Sequence, residues 1–531
     1  MRVGAGETVR NSSPGDAVLR QCQLQPCERR SRPGRTAQGV PDRLSALWAA
    51  ALSTCCDDVS QHRALPWSAP YQKKGAGDAS VDRLNGCRAV HRAGPPMQAE
   101  QTGERSNVTP VRHYESGPMN VAYIVGSFPH VSETFIVNQI VGMAARGHDV
   151  HVFTTVPTVI GGIPTGVQRY RLLEHTHSLY GPRNPFIRPI KVTGLMISQG
   201  WRVPRLVLRA LNVMRYGRVA ASLGLLIAGL TLLRQQRTHA YDVIHCQFGT
   251  YGEAALRLRE IGAITGRLVT SFRGFDATKY LRTNPHAYDA LFRTGDLFLP
   301  VSQSLADRLV ATGCVRAKIV VLHSGIECGK FRYIERRLIE GEPVRILMIG
   351  RLTEKKGIVY AIQAVARVIA SGRNLSFTIV GEGPLRAELQ RLIEELGVSE
   401  SVKLIGWRTH EEVVGLIESA HVLLAPSVTG TDGDEEGIPN SVKEAMATGM
   451  PVVSTSHGGI PELVEDGVSG YLVAERDVEA MADRLRQLID RPQAWAAMGR
   501  AARMRVLAEF DTEKLNDELE RLYVALVEKS K

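Results

Sequence analysis

The chain has 531 residues, of which 44% are apolar and 22% charged, with 50 glycines and 26 prolines. This length and composition exclude a peptide, a small disulfide-stapled scaffold and a globally disordered chain, and they allow about two to four folded domains. The formal net charge of +11 indicates an anionic partner: a nucleic acid, a membrane surface or a phosphorylated ligand. No apolar run reaches the ~20 residues that a spanning helix needs, so we expect a cytoplasmic protein.

Residues 1–118 differ from the rest of the chain. They hold five of the eight cysteines and show almost no sustained apolar periodicity, and no cysteine pair has the C-x-x-C spacing of a metal site. Because Met119 directly precedes a clean buried strand, we interpret the segment as a disordered or artefactual N-terminal extension. The alternative is a basic tail, but its arginines lack aromatic or helical register, so we expect no nucleic-acid partner.

From Met119 onward the pattern is typical of a doubly wound parallel sheet. A strand over 119–125 leads through Gly126 into an amphipathic helix over 132–146 and a second strand over 150–155. Further strands are predicted over 243–245, 268–272, 297–301 and 319–322. The apolar run over 219–233 is interpreted as a buried helix. These elements predict a first Rossmann-like domain over 119–338, with ligands at the carboxyl ends of its strands.

The same architecture restarts after a charged link over 333–343. A new first strand over 344–349 is followed by a glycine-bearing loop and a helix over 359–371. Further strands are predicted over 376–380, 403–405, 422–426, 451–454 and 470–473. We therefore predict an α/β fold of two Rossmann-like, doubly wound domains that face a cleft. The second domain spans 339–510, and a terminal amphipathic helix within 511–531 is expected to pack back on the first domain.

The most specific chemical pattern runs from Glu436 to Glu444 and reads Glu-Gly-Ile-Pro-Asn-Ser-Val-Lys-Glu. Pro439 and Ser441 can start a helix whose free backbone N–H groups face the strand ends, with Glu444 one turn in. Amides that bind phosphate and carboxylates that accept from hydroxyls together suit a sugar nucleotide. An isolated pair of this kind would more often be a loop acid and a helix-face charge, so its interpretation depends on the neighbouring loops.

Two neighbouring loops carry matching chemistry. Arg351 and Lys356 lie in a glycine-flanked loop after the first strand of the second domain, where they can neutralise a diphosphate leaving group without a metal. The segment Gly381-Glu382-Gly383 ends the next strand, where a base or ribose would lie. Three ligand-suited loops at strand ends indicate one binding site.

Together these segments resemble the large retaining glycosyltransferases of family 4, over residues 119–527 and including the His457–Val464 segment. The resemblance implies the two-Rossmann GT-B fold. It also implies that Arg351 and Lys356 contact the donor diphosphate and that Glu436 contacts the donor sugar, all three as catalytic residues. Glu444 is implied at the ribose, and the donor-binding set is Glu444, Gly381, Glu382, Gly383, Gly437, Ile438, Pro439 and Asn440.

The first domain carries the acceptor side. The stretches 127–135 and 429–436 resemble those of colanic-acid-like exopolysaccharide glycosyltransferases. By this resemblance His245 is expected near the reacting centre as a further catalytic residue, while Gln247 and Arg273 stand where family members often have histidine. The acceptor-side residues are Ser132, Glu133, Arg273 and Asp276.

The predicted function is transfer of a sugar, with retention, from a nucleotide diphosphate to a saccharide acceptor that is lipid-linked, in exopolysaccharide or cell-surface polysaccharide biosynthesis. We expect no cofactor and no metal ligand, and Asp432-Gly-Asp434 only mimics a metal-binding Asp-x-Asp. A nucleotide-sugar epimerase on the same scaffold and a non-catalytic sugar-nucleotide or polyanion-binding protein stay open as alternatives.

The region between Glu174 and Asp242 has no acidic residue but ten arginines and lysines, interleaved with apolar and aromatic side chains. Such a surface suits an anionic membrane leaflet. Residues 183–218 are therefore expected to give peripheral contact with the inner face of the cytoplasmic membrane, with a plain solvated face as the alternative.

Overall fold

The computed structural model describes residues 117–130, 133–156, 163–179, 181, 186–235 and 240–529. The predicted N-terminal extension therefore lies outside the described residues except for positions 117 and 118, and so does Ser132.

The first sheet contains six parallel strands rich in valine, isoleucine and leucine, most of them buried on both faces. The strands are β1 (Asn120–Val125), β2 (Asp149–Thr154), β3 (Thr176–Ser178), β4 (Ala240–Cys246), β5 (Thr265–Phe272) and β6 (Leu297–Pro300). Their order across the sheet is β3-β2-β1-β4-β5-β6. The strand order reverses between the neighbouring parallel strands β1 and β4, which is the switch point where doubly wound sheets bind ligands.

The second sheet repeats this topology. Its parallel strands are β7 (Val344–Ile349), β8 (Leu375–Val380), β9 (Val402–Gly406), β10 (Val422–Ala425), β11 (Val452–Thr455) and β12 (Tyr471–Val473). The order is β12-β11-β10-β7-β8-β9, so the switch point lies between β7 and β10. The predicted fold class is confirmed: both halves are doubly wound α/β units.

Helices cover both faces of each sheet. In the first half they are α1 (Thr134–Ala145), α2 (Thr165–Arg169), α3 (Ile187–Ser198), α4 (Pro204–Ala210), α5 (Val213–Ala221), α6 (Gly224–Gln235), α7 (Gly249–Glu260), α8 (Lys279–Thr283), α9 (Asp289–Thr294) and α10 (Gln303–Ala311). The second half has α11 (Ile358–Ala370), α12 (Arg386–Glu395), α13 (His410–Ser419), α14 (Asn440–Ala447), α15 (Ile460–Leu463), α16 (Val478–Asp490), α17 (Trp495–Glu509) and the terminal α18 (Thr512–Glu528).

Two predicted elements of the first sheet need correction. The strand expected over 319–322 is wrong, because only Ile319 makes an isolated bridge, to Phe298. The edge strand β3 was missed, since Thr-His-Ser has no apolar alternation. By contrast, the apolar run over 219–233 does contribute buried side chains, from Leu225 to Leu233 on α6, to the first core.

No single helix among the described residues is long and apolar enough to cross a membrane. The pair Val213–Ala221 and Gly224–Arg234 passes that test only when taken together, and it bends by 81° at the break.

The terminal helix α18 packs against α1 of the first half through a buried cation. Arg146, at the end of α1, has its side chain 2% exposed and pairs with Glu513, Asp517 and Glu520 of α18. Its Nη1 also donates to the carbonyl oxygen of Gly142, at 3.0 Å. One guanidinium thus ties the end of the chain to the first sheet domain.

Replacement of this cation tests the attachment of the terminal helix. Arg146→Ala leaves the buried carboxylate of Glu520 with His148, at 3.2 Å, as its remaining partner, so we expect the free energy of unfolding to fall by about 3 kcal/mol, the lower end of the range for a broken buried pair. Arg521→Ala breaks only the exposed pair with Glu518 and should cost less than about 1 kcal/mol. Urea unfolding of the two variants measures both values. Equal losses would show that α18 is not held by Arg146.

Candidate functional site

The loops after β7, β8 and β10 meet at one edge of the second sheet, and glycine makes this approach possible. Gly381 has a φ of +140°, and a Cβ atom there would lie 1.9 Å from the carbonyl oxygen of Gly350. Gly357 has a φ of +65°, and its Cβ would lie 1.8 Å from the carbonyl oxygen of Pro426. Because each added Cβ atom would collide with a backbone carbonyl group, any residue other than glycine would push these loops apart.

Glu436 lies between two lysines at this edge. Its Oε2 is 3.1 Å from Nζ of Lys356, and its Oε1 is 3.4 Å from Nζ of Lys355. Lys355 also pairs with Asp434, at 2.9 Å. The structure therefore brings together Glu436 and Lys356, which are 80 residues apart in the sequence, as the motif positions predicted.

The charges of this cluster support one another. Burial disfavours ionisation of Glu436, but the ammonium groups of Lys356 and Lys355 outweigh it and lower the pKa of the carboxyl to about 2. Burial likewise opposes the charge of Lys355, yet Glu436 and Asp434 raise the pKa of its ammonium. Glu436 is thus ionised at neutral pH, which makes it an acceptor for hydroxyl groups and not a proton donor.

The backbone of Glu436 is held by a chain of hydrogen bonds that sequence reasoning did not find. Its N–H donates to Nε2 of the buried His457, at 3.0 Å, and Nδ1 of His457 lies 2.7 Å from Oε1 of Glu475. Glu475 in turn accepts from the backbone N–H and the hydroxyl of Thr429. The His457 motif was recognised, but its partner in the loop after β12 gives no local signal.

Helix α14 begins at Asn440 with Pro439 in the N-cap position, and no side-chain hydrogen bond caps it. Its first-turn N–H groups are therefore not used by a capping side chain and favour an anion. Glu444 follows in the next turn, where burial raises the pKa of its carboxyl, opposed by His410 and Lys443.

Lys443, beside Glu444, is a buried cation that sequence reasoning passed over. Its side chain is fully buried, and Nζ donates to the carbonyl oxygen and the hydroxyl of Ser324, at 2.6 and 2.9 Å. Burial lowers the pKa of its ammonium to about 7. Ser324 lies in the segment that leaves the first sheet, so this lysine joins the helix of the Glu-x7-Glu motif to the link between the two sheets.

The other predicted donor residues take varied positions around the cluster. Arg351 is exposed on the loop after β7, and Glu382 is exposed and pairs with Arg386 at 3.0 Å. Gly383 lies directly against the backbone of Leu352. Gly437 touches the backbone of the first half, and Ile438 is buried beneath it.

On the acceptor side, Asp276 organises a loop. Its Oδ1 accepts from the backbone N–H groups of Arg273 and Gly274, at 3.0 and 3.1 Å, and its Oδ2 accepts from Gly249, at 2.9 Å. Burial raises the pKa of this carboxyl, while these N–H groups oppose the shift. Asp276 therefore shapes the loop that carries Arg273 and does not point freely toward a ligand.

Arg273 lines a cavity of the first half together with Phe135 and Ser271, and the terminal helix α18 closes one side of it. Its guanidinium lies 4.6 Å from the centre of the Phe135 ring and donates through Nε to the carbonyl oxygen of Gln247, at 3.2 Å. Burial lowers the pKa of Arg273 to about 10, and burial raises the pKa of nearby Glu133. Ser132, the fourth predicted residue, is outside the described residues.

His245 lies in the interior, behind the cavity. Its ring is fully buried, and both nitrogens are engaged: Nδ1 with the hydroxyl of Tyr523 at 2.5 Å, and Nε2 with Oγ of Ser271 at 2.8 Å. Burial and the charge of Arg273 lower its pKa well below the ordinary value. Both ring nitrogens of His245 are thus engaged within the protein, by Tyr523 and Ser271, and its catalytic role stays a prediction.

The aspartates of the Asp-Gly-Asp segment are both paired with lysines. Oδ2 of Asp432 lies 2.8 Å from Nζ of Lys279, which belongs to the first half, and Asp434 pairs with Lys355 as above. A second ion pair between the halves joins Arg308 to Glu435, at 2.6 Å. The donor-side loop is thus closed onto the first half by opposite charges.

Comparison with known proteins identifies the chain. The model of "Glycosyltransferase Family 4" matches residues 132–330, and that of "Glycosyl transferases group 1" matches residues 330–505. The amylovoran biosynthesis glycosyltransferase AmsK of Erwinia amylovora is 35% identical over 414 residues, which cover 76% of this chain and 100% of that protein. The chain belongs to glycosyltransferase family 4.

A further relative and a solved structure agree with this family and with the fold. The colanic acid biosynthesis glycosyltransferase WcaL of Escherichia coli is 36% identical over 420 residues, covering 77% of this chain and all of WcaL. Among solved structures, HepE of Anabaena, in complex with UDP and glucose, superposes with a TM-score of 0.57 at 17% identity, covering 77% of this chain and 100% of HepE. The predicted GT-B fold and family are confirmed.

Titration of Lys443 should appear in the pH dependence of stability. Its pKa is about 7 in the folded chain and 10.5 ordinarily, so between these values the unfolded chain binds more protons and stability rises with pH. The unfolding free energy of the wild type relative to Lys443→Met should rise by about 3–5 kcal/mol from pH 7 to pH 10.5. The exposed Lys403→Met serves as control. A pH-independent difference would show that Lys443 stays charged.

Proposed function

We propose that this glycosyltransferase moves a sugar from a nucleotide diphosphate to a saccharide acceptor, with retention and without a metal, in exopolysaccharide biosynthesis. The observation that carries the proposal is the cluster of Glu436, Lys355 and Lys356 at the switch point of the second sheet. AmsK and WcaL, which are named for amylovoran and colanic acid biosynthesis, support the pathway.

The leaving diphosphate is stabilised best by positive charge that is already in place, because the protein then does not have to rearrange during the reaction. Lys356 and Arg351, together with the uncapped N-terminus of α14, supply that charge from the protein itself. Glu436 is ionised and lies against Lys356, where it can accept from hydroxyls of the donor sugar. These groups account for leaving-group stabilisation without a divalent cation.

Glu444 is proposed at the ribose, and Arg273 and Glu133 on the acceptor side. The backbone of Arg273 lies beside the Glu436 loop, because a Cβ atom at Gly437 would come within 2.9 Å of its carbonyl oxygen, while its side chain lines the cavity of the first half. His245 does not offer an available basic nitrogen, because both of its ring nitrogens are engaged in hydrogen bonds. The leaving phosphate is therefore proposed to take the acceptor proton.

We further propose that the first half docks on an anionic membrane, where a lipid-linked acceptor would be found. Half of the exposed large apolar side chains of the described residues fall within 186–214, including Phe186, 84% exposed, and Met214, 98% exposed. These side chains lie on helices α3, α4 and α5 or directly beside their ends, and the three helices pack on the buried α6, so the side chains form an outer layer. Arg202 lies over the ring of the exposed Trp201, at 5.0 Å.

Glycosyl transfer is tested with a panel of UDP-, GDP- and ADP-sugars in EDTA, by nucleotide release that requires an acceptor. Glu436→Gln and Lys356→Ala should each lower turnover by ~10²-fold or more, because both contacts act on the transition state. Glu479→Gln, an exposed carboxylate that also pairs with two cations, should leave turnover unchanged. Product NMR reports the anomeric configuration. Epimer formation without acceptor, or activity only with a metal, would contradict the proposal.

Membrane docking is tested by sedimentation with vesicles of phosphatidylcholine alone or mixed with phosphatidylglycerol. The wild type should bind only the anionic vesicles, and Trp201→Ala/Met214→Ala should bind at least ~10-fold more weakly, because each buried apolar side chain contributes about 1.5–3 kcal/mol. Trp407→Ala removes a comparably exposed ring of the second half and serves as control. Unchanged vesicle binding by the double variant would contradict membrane docking through this surface.

A further inference from the structure

The edge of the first sheet holds a cluster that the transfer reaction does not use. Among the described residues, one group of three potential metal ligands has its ligand atoms within 4.8 Å of one another: Asp149, His151 and His175. Asp149 and His151 are two residues apart on β2, so they share a face of the strand. Val152 pairs with Thr176 of β3, which places His175 beside His151.

The spacing of these side chains fits the spacing of ligands around one metal ion. Oδ1 of Asp149 is 3.4 Å from Nε2 of His151 and 3.9 Å from Nδ1 of His175. Hydrogen bonds between such groups are typically ~2.7–3.2 Å long, and both distances exceed that range. With metal–ligand bonds of ~2.0–2.1 Å, the ligands of a tetrahedral site lie roughly 3.3–3.4 Å apart. The Asp149–His151 separation therefore matches the edge of a coordination tetrahedron, and the Asp149–His175 separation exceeds it by about 0.5 Å.

Packing holds the cluster in place before any cation binds. The ring of His151 lies edge-on to that of His175, with centroids 5.1 Å apart, and edge-on to Tyr241 of β4, at 5.7 Å. His151 is the least exposed of the three, while Asp149 and His175 are about half exposed, which leaves an open side for water or a fourth ligand.

We propose that Asp149, His151 and His175 form a binding site for a divalent transition-metal ion, best suited to Zn²⁺. Two imidazoles and one carboxylate form the donor set that borderline cations such as Zn²⁺ prefer, and that Mg²⁺ and Ca²⁺ do not. The site joins β2 to the edge strand β3. Asp149 begins β2, roughly 17 Å along the strand from the carboxyl end that faces the cleft. Its role is thus structural and separate from glycosyl transfer.

Zn²⁺ itself is the probe, titrated into the full chain against a competing fluorescent chelator. The wild type should bind one equivalent of Zn²⁺ that His151→Ala/His175→Ala does not bind. Loss of a residue that only supports a metal ligand lowers metal affinity by ~10–100-fold, so loss of two ligands should lower the affinity for this equivalent by at least ~100-fold. The cysteines are present in every variant and cancel in the comparison. Asp149→Asn, which keeps the side-chain volume, gives a second reading, and Co²⁺ spectra of the wild type should show nitrogen and oxygen ligands without thiolate.

The control is His286→Ala, which removes an exposed histidine that also lies beside an aspartate, Asp289, at 3.2 Å. This variant should bind Zn²⁺ as the wild type does. Identical stoichiometry and affinity in the wild type and the His151→Ala/His175→Ala variant would overturn the proposal, as would a loss of equal size in His286→Ala. Circular dichroism of each variant shows whether the fold is kept, and Asp149→Asn decides the question if the double variant does not fold.

Discussion

The donor side of this glycosyltransferase depends on one buried carboxylate, Glu436, and the two lysines that neutralise it. A charged group removed from water needs compensating charge close by, so the loop after β10 is stable where it lies only if Lys355 and Lys356 of the loop after β7 lie beside it. The two loops flank the switch point of the second sheet. The same ion pairs that hold the loops together thus place cations and an acceptor carboxylate where we propose that the sugar nucleotide binds.

Side-chain charge alone would not fix the direction of Glu436, and the surrounding backbone does so. The Thr429, Glu475 and His457 chain holds its N–H group, and Gly458 allows the backbone to approach, since a Cβ there would lie 2.2 Å from the carbonyl oxygen of Glu436. These contacts come from the ends of β10, β11 and β12. Hydrogen bonds between the loops at successive strand ends thus hold the backbone of Glu436 in one orientation.

The two halves share a topology but differ in the chemistry at their strand ends. The second sheet presents the ionised Glu436 cluster, whereas the first presents Arg273 above a buried histidine and tyrosine network. The terminal helix α18 supplies Tyr523 to that network while Arg146 anchors it to α1. The last residues of the chain therefore complete the first half and not the second half, which precedes them in sequence.

Local patterns in the sequence predicted every described strand of both sheets except β3, and strand-end motifs predicted that Glu436, Lys356 and Gly381 meet, because parallel strands end at one common edge. Prediction of strands from apolar content was wrong in two places. The apolar segment 319–322 does not form a strand, and the polar segment β3 does. Only the tertiary structure decided the partners of His245 and Lys443, since Tyr523 and Ser324 lie 278 and 119 residues away. Such contacts depend on how whole domains pack, and the local sequence around either partner does not predict them.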